Sequence, residues 1–308
     1  MKSILTLALA ATIMVGTTSL VTAGIIRPTN FGIGADAEVR DHQGTTNFGA
    51  STELATRINN ANIDPTIITT PSDGSDRFSA MYLKFDLAGV TLAHVPGATL
   101  RMTYRNTTLT SGRVQDALVP AITTGLTYYG LDITHPGNNW GEATINFNNA
   151  PGMLPNGGNN GTKDYNLTPG NLIVLGSKAF PVVIPQNHLP VGGPLDFSGP
   201  GLEAMLAAAI TAGAPSVTIV AGITHDGTST NPQWLNFNYL FNPKEQTTLI
   251  TDPYDPNTTV TGDEVTNLYG TNNSAGAFSP QLILVPEPAG LVLLSLAGLA
   301  LLARRRAA

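Results

Sequence analysis

Hydrophobic and polar positions alternate with period two through much of the first third of the chain. Ala35 to Asp41 sets Ala37 and Val39 against Glu38 and Arg40, and Thr52 to Ile58 sets Leu54, Thr56 and Ile58 against Glu53, Ala55 and Arg57. The clearest run is Ala80 to Ala88, where Met81, Leu83, Phe85 and Leu87 alternate with Tyr82, Lys84 and Asp86. Leu100, Met102 and Tyr104 repeat the pattern against Arg101, Thr103 and Arg105. Successive strand side chains point to opposite faces, so this period predicts half-buried strands. Further strands are predicted at Leu126 to Leu131, Leu172 to Lys178, Ser216 to Ile223, Leu235 to Phe241 and Gln281 to Val285, with Asn-Gly, Pro-Gly and similar turn formers between them. One segment changes period. Leu202, Met205, Leu206, Ala209 and Ile210 follow helical spacing, and Gly213 is placed to end the turn. Many short strands and one short helix, packed over an open end, predict an all-β sandwich or barrel.

Both ends of the chain carry a different pattern. Met1-Lys2, an apolar stretch from Ile4 to Val15 and Val21-Thr22-Ala23 follow the charge, length and small-residue order of a secretory signal peptide, residues 1–23. At the other end, Pro286-Glu287-Pro288 is followed by fifteen uncharged residues from Ala289 to Ala303 and then by Arg304, Arg305 and Arg306. Fifteen is short of the roughly 20 residues that span hydrocarbon comfortably. Arginine side chains reach the interface and extend such a helix, and they hold its end on the cytoplasmic side. Everything before Pro286 is then expected to face outward, with one domain over residues 24–285 and a tail over 286–308. A division near the Pro- and Gly-rich stretch Pro185 to Pro194 is the alternative.

Composition narrows the function. The chain holds no cysteine, so an exported domain is held by its core, without disulfides or thiolate ligands. It carries 15 Lys+Arg and 21 Asp+Glu; without Lys2 and the three terminal arginines, 11 cations face 21 acids, a charge close to −10. Nucleic-acid binders show a net basic footprint, so that class is excluded.

The tail resembles the PEP-CTERM sorting signal of Gram-negative bacteria that make exopolysaccharide: a Pro-Glu-Pro site, a membrane helix and a basic stop. That resemblance implies recognition of Pro286, Glu287 and Pro288 by an exosortase-type enzyme. The chain is held transiently in the inner membrane with its C-terminus cytoplasmic, then displayed or released outside.

A second resemblance covers Ala35 to Val285. ADAEVRD followed by TNFGASTEL, then RFSAMYLKFDLAGV and PGATLRMTYRN, are similar in order to the DNRLRE family of exported β-sandwich domains, which are related to carbohydrate-binding modules. YYGLD with WGEATINFNNAPG, LDFSGPGLEAMLAAAITAG and FSPQLILV continue the match, with long insertions at Asn59 to Asp76 and Pro181 to Pro194. The resemblance implies a jelly-roll-like β-sandwich, a binding or matrix role and no catalytic apparatus.

Candidate chemistry is sparse. No nucleophile elbow, zinc-protease helix or phosphate-cradling glycine motif is present. His42, His94, His135, His188 and His225 are scattered among turn residues and read as surface or loop histidines. If the strand phases hold, Arg40, Arg57, Lys84, Arg101 and Arg105 point away from the core. On one sheet they would form a band whose guanidinium forks suit the carboxylates of an acidic polysaccharide. The plainer reading is a solvated face on which they pair with Glu38, Glu53 and Asp86. Tyr128, Tyr129, Trp140 and Trp234 are candidate sugar-stacking rings, with Trp140 the most suited to packing. The acidic stretch Asp252, Asp255, Asn257, Asp263 and Glu264 has oxygen ligands for a structural calcium ion but no known loop spacing, and no other cofactor is indicated. The expectation is an exported, non-catalytic polysaccharide-binding or matrix component. A structural adhesin or scaffold with protein partners, and a polysaccharide-cleaving enzyme, are the alternatives.

Overall fold

The computed structural model describes residues 24–60, 76–106, 125–154, 165–179, 194–223, 236–245 and 278–285. Its strands are β1 (Ile25–Pro28), β2 (Ala35–Arg40), β3 (Leu54–Asn60), β4 (Asp76–Asp86), β5 (Thr99–Asn106), β6 (Gly125–Leu131), β7 (Leu172–Ala179), β8 (Pro194–Ser198), β9 (Ser216–Ile223), β10 (Asn236–Phe241) and β11 (Gln281–Leu284). A helix, α1 (Pro200–Thr211), lies between β8 and β9. Hydrogen bonding runs in the order β1-β11-β5-β10-β3-β4-β9-β6-β7, with β2 beside β4 and β8 beside β5, and these pairings are all antiparallel. Strand β5 joins the two halves of this network. Its first residues pair β11 and β8, and its last residues pair β10, which leads into the larger sheet.

The network folds back on itself around one apolar core. Met81, Leu83 and Phe85 of β4 share that core with Leu100 and Met102 of β5 and Leu282 and Leu284 of β11. Tyr128 of β6 stacks on Phe197 of β8 with ring centroids 4.0 Å apart, so β6 and the strand beside β5 meet across the interior. The fold is all-β and sandwich-like, as the alternation predicts.

Helix α1 also forms where its period places it. Leu202, Met205, Leu206 and Ala209 are its buried residues, and they pack across β7 and β9. Pro200 opens the first turn, where a missing N–H costs nothing. Gly213, at φ +67°, closes the last turn with its amide on the Ile210 carbonyl, a left-handed position that glycine adopts without a Cβ clash. The helix approaches the sheet closely: a Cβ on Gly201 would lie 2.2 Å from the Leu175 carbonyl oxygen.

Two short strands, β1 and β8, add to those that alternation predicts. The larger departure concerns the faces. Strands expected to be half-buried are covered on both sides. On β4, Tyr82 is 0% exposed and Lys84 5%, although both lie on the face opposite Met81, Leu83 and Phe85. Glu38 and Asp86, also expected to be solvated, are buried as well. The cover is the connection from Asp132 to Met153 together with Tyr165. Trp140, Ile145, Phe147, Ala150 and Met153 of this loop are all buried. Trp140 packs edge-on to Tyr82 at 5.9 Å, and Phe147 and Tyr165 pack edge-on to Phe78 at 6.2 and 5.3 Å. Such pairs are worth about 0.5–1.5 kcal/mol each beyond their burial.

Among the described residues no helix is long and apolar enough to cross a membrane. The signal segment, the sorting tail with Pro286, Glu287, Pro288, Arg304, Arg305 and Arg306, and the acidic stretch from Asp252 to Glu264 lie outside the described residues.

Candidate functional site

The 132–153 loop is shaped by its own polar side chains. The Asp132 carboxylate accepts from the Thr134 amide and hydroxyl, and those bonds hold its pKa below the usual carboxylate value. The His135 ring accepts from the Gly137 amide, and Asn146 and Asn149 each accept the other's backbone N–H. The loop is pinned to the sheet by the Tyr82 hydroxyl, which donates to the Pro151 carbonyl at 2.8 Å, and by the Trp140 indole N–H on the Thr218 hydroxyl at 2.9 Å. On its outer side Pro136, Asn139, Trp140, Thr144, Asn149 and Pro151 help to line a shallow depression of about 210 Å³.

Beside the loop, five residues from four segments converge. Asp36 opens β2, Glu142 follows Trp140 in the loop, Thr29 follows β1, and Lys244 and Glu245 follow β10. A tight turn holds Glu142, with the Thr144 and Ile145 amides on the Gly141 carbonyl, and the Asn47 amide donates to the Glu142 carbonyl at 2.6 Å. Lys244 Nζ lies 2.6 Å from Glu142 Oε2 and 2.9 Å from Glu245 Oε1. Asp36 Oδ2 accepts from the Thr29 hydroxyl at 2.5 Å and from the Lys244 backbone N–H at 3.2 Å. One oxygen of each of Asp36, Glu142 and Glu245 lies within 4.8 Å of the others.

Burial sets the electrostatics of this cluster. Asp36 is 1% exposed, and desolvation pushes its pKa up to about 8 against the Thr29 hydrogen bond, with the Glu245 and Glu142 charges adding to the rise. Desolvation likewise raises Glu142 to about 7, opposed by its bond to Lys244. Burial disfavours the Lys244 ammonium, but its bonds to Glu142 and Glu245 outweigh this and hold its pKa above the ordinary value. The donor set is all oxygen, which suits a hard cation and no soft one.

Three cations of the predicted basic band, Arg40, Lys84 and Arg101, have described side chains. Arg40 forms a two-point bond to Glu38 at 2.6 and 2.8 Å and lies over the Phe48 ring. Arg101 of β5 forms a bidentate pair with Asp196 of β8, both bonds 2.7 Å. Lys84, expected on the outer face of the band, is buried: its ammonium donates to the Trp140 carbonyl and lies 4.5 Å from the centre of the Trp140 ring. Burial lowers its pKa, an effect partly offset by Glu142. The side chains of Arg57 and Arg105 lie outside the described residues. Arg40 and Lys84 stand beside each other's strands, whereas Arg101 lies on β5, on the small-sheet side.

Two further expectations are corrected. Tyr128 and Tyr129 are core residues and present no stacking face, while Trp140 packs as expected. His94, read as a surface or loop histidine, does lie in the β4–β5 connection but is 3% exposed there and hydrogen-bonds Thr91. The carboxylate cluster was not singled out, although Asp36 and Glu142 both stand in the motifs ADAEVRD and WGEA. No family model matches the chain, and no curated protein matches it.

Proposed function

We propose that the chain is an exported, non-catalytic polysaccharide-binding or matrix component, built as a jelly-roll-like sandwich and sorted through its Pro-Glu-Pro tail. The resemblances to PEP-CTERM and DNRLRE proteins rest on the quoted motifs. The observation that carries the binding role is the shallow depression on the 132–153 loop, where exposed Asn139 stands beside Trp140 to meet a hydroxyl-rich chain, while Thr144 and Asn149 are bonded to the Gly141 and Thr144 carbonyls and hold the lining in place. A glycosidase instead needs two opposed carboxylates reachable by the sugar. The carboxylates that gather here surround Lys244, and Asp36 among them is closed to solvent.

The charges bear on the glycan class. Arg40, Lys84 and Arg101 are engaged by Glu38, the Trp140 carbonyl and Asp196, which favours neutral, hydroxyl-rich polysaccharide over polyuronate. Retardation of the purified chain in gels containing neutral or uronate polysaccharide tests this. Retardation by a neutral polymer, weakened at least about fivefold by Asn139→Ala, is expected; no retardation by any polymer refutes the glycan role. A product mass ending near Pro288 supports the sorting route, and an intact tail opposes it.

A scaffold with protein partners is the second reading. It is favoured by β7, which ends the strand order and carries exposed Ile173 and Val174. Edge strands of this kind are templates for pairing with another chain.

A further inference from the structure

We propose that Asp36, Glu142 and Glu245 form a binding site for a hard divalent cation, calcium by preference, that joins β2, the 132–153 loop and the segment after β10. The first support is reach. Calcium binds oxygen at about 2.3–2.6 Å, so two oxygens on one ion are at most about 5 Å apart. The three carboxylate oxygens, within 4.8 Å of one another, already satisfy that limit.

The second support is independent of the acids' proximity. Asp36 is 1% exposed, yet its Oδ1 has no hydrogen-bond partner among the described residues. Glu245 Oε2 is also buried without one. A buried carboxylate oxygen left unsatisfied is costly, because it has lost water and gained nothing in return. Asp36 Oδ2, by contrast, is held by Thr29 and Lys244, which fixes the carboxylate's orientation. Thr29 therefore acts as a positioning residue for the ligand.

Charge completes the argument. Fully ionised, the three carboxylates outnumber the two ammonium groups that act on them, Lys244 on Glu142 and Glu245 and Lys84 on Glu142, and with Lys244 swung outward the remainder is −2. A divalent ion neutralises that remainder, with backbone carbonyls and water filling its coordination shell. Lys244 competes for the same oxygens, and its partly exposed side chain can swing outward when the ion enters. Magnesium, which dehydrates reluctantly and usually keeps several waters, fits such a buried all-protein cluster less well.

The experiment uses the full chain, stripped with EDTA and titrated with CaCl₂ or MgCl₂, followed by calorimetry and thermal melts. It needs no glycan, so its failure and that of the binding role are separable. One calcium per chain and a Tm rise of at least about 5 °C at saturation are expected, because an ion that binds only the folded state stabilises it. Asp36→Asn should weaken calcium binding at least about tenfold, and Lys244→Gln should strengthen it by removing the competing ammonium. Glu245→Gln, at a more accessible position, gives the same test if Asp36→Asn fails to fold. Absence of calcium heat together with an unchanged Tm in the unmodified chain overturns the proposal. So does undiminished calcium binding in whichever of the two carboxamide variants folds. An equal response to magnesium overturns the assignment to calcium.

Discussion

Replacing Tyr82 by Phe removes one oxygen and tests whether the 132–153 loop is fastened to the outer face of β4. The Tyr82 side chain is fully buried, and its hydroxyl donates to the Pro151 carbonyl at 2.8 Å. Phenylalanine keeps the ring and its edge contact with Trp140, so packing changes little. What is lost is a hydrogen bond of net worth about 0.5–1.5 kcal/mol, plus the cost of a carbonyl left without that donor, about 1–3 kcal/mol where no water replaces it. The net expectation is a destabilisation of about 1–2 kcal/mol, which lowers Tm by roughly 2–8 °C for a domain of this size. Urea unfolding at constant m-value measures the energy. Hydrogen exchange measures its location, with amides of Asn138 to Met153 losing protection before those of β4 and β9. A change below about 0.3 kcal/mol, or exchange that rises uniformly over the whole chain, would refute the claim that this bond fastens the loop.

Gly201→Ala places a methyl 2.2 Å from the Leu175 carbonyl oxygen, which is backbone and cannot swing away; a loss of about 1–3 kcal/mol in urea unfolding is expected, with α1 displaced from β7. Lys84→Met tests the buried ammonium through pH. The folded-state pKa of Lys84 is lowered chiefly by desolvation, so above that pKa the folded chain has released a proton that the unfolded chain still holds up to about pH 10.4. Stability of the unmodified protein should therefore rise relative to the Met variant as pH increases through that window; parallel pH profiles would contradict the burial of the charge.

The alternation of Met81, Leu83 and Phe85 was enough to place β4 and to choose its sandwich face, because period two is a local property. Helical spacing from Leu202 to Ala209, closed by Gly213, was equally local and placed α1 correctly. The second face of β4 was not legible. Tyr82 and Lys84 look polar enough for solvent, and their cover arrives from Trp140 and Pro151, 56 and 69 residues along the chain. The partners of the described cations were legible only in part, for a related reason. Asp196 meets Arg101 through the register of β5 with β8, which alternation does not report, whereas Glu38, two residues from Arg40 on the same strand, was legible as its partner.

The sequence by itself determined the elements: period fixes strand or helix, and glycine and proline punctuate the turns. Only the tertiary structure decided what is inside and what meets. Asp36 and Lys244 are separated by 208 residues, and nothing in either segment announces the other. Their convergence with Glu142 and Glu245 depends on antiparallel pairing of distant strands, which brings ends together whatever their spacing in sequence. A carboxylate's chemistry follows from the water and charge around it, so a cluster of this kind exists only once the fold has chosen its neighbours.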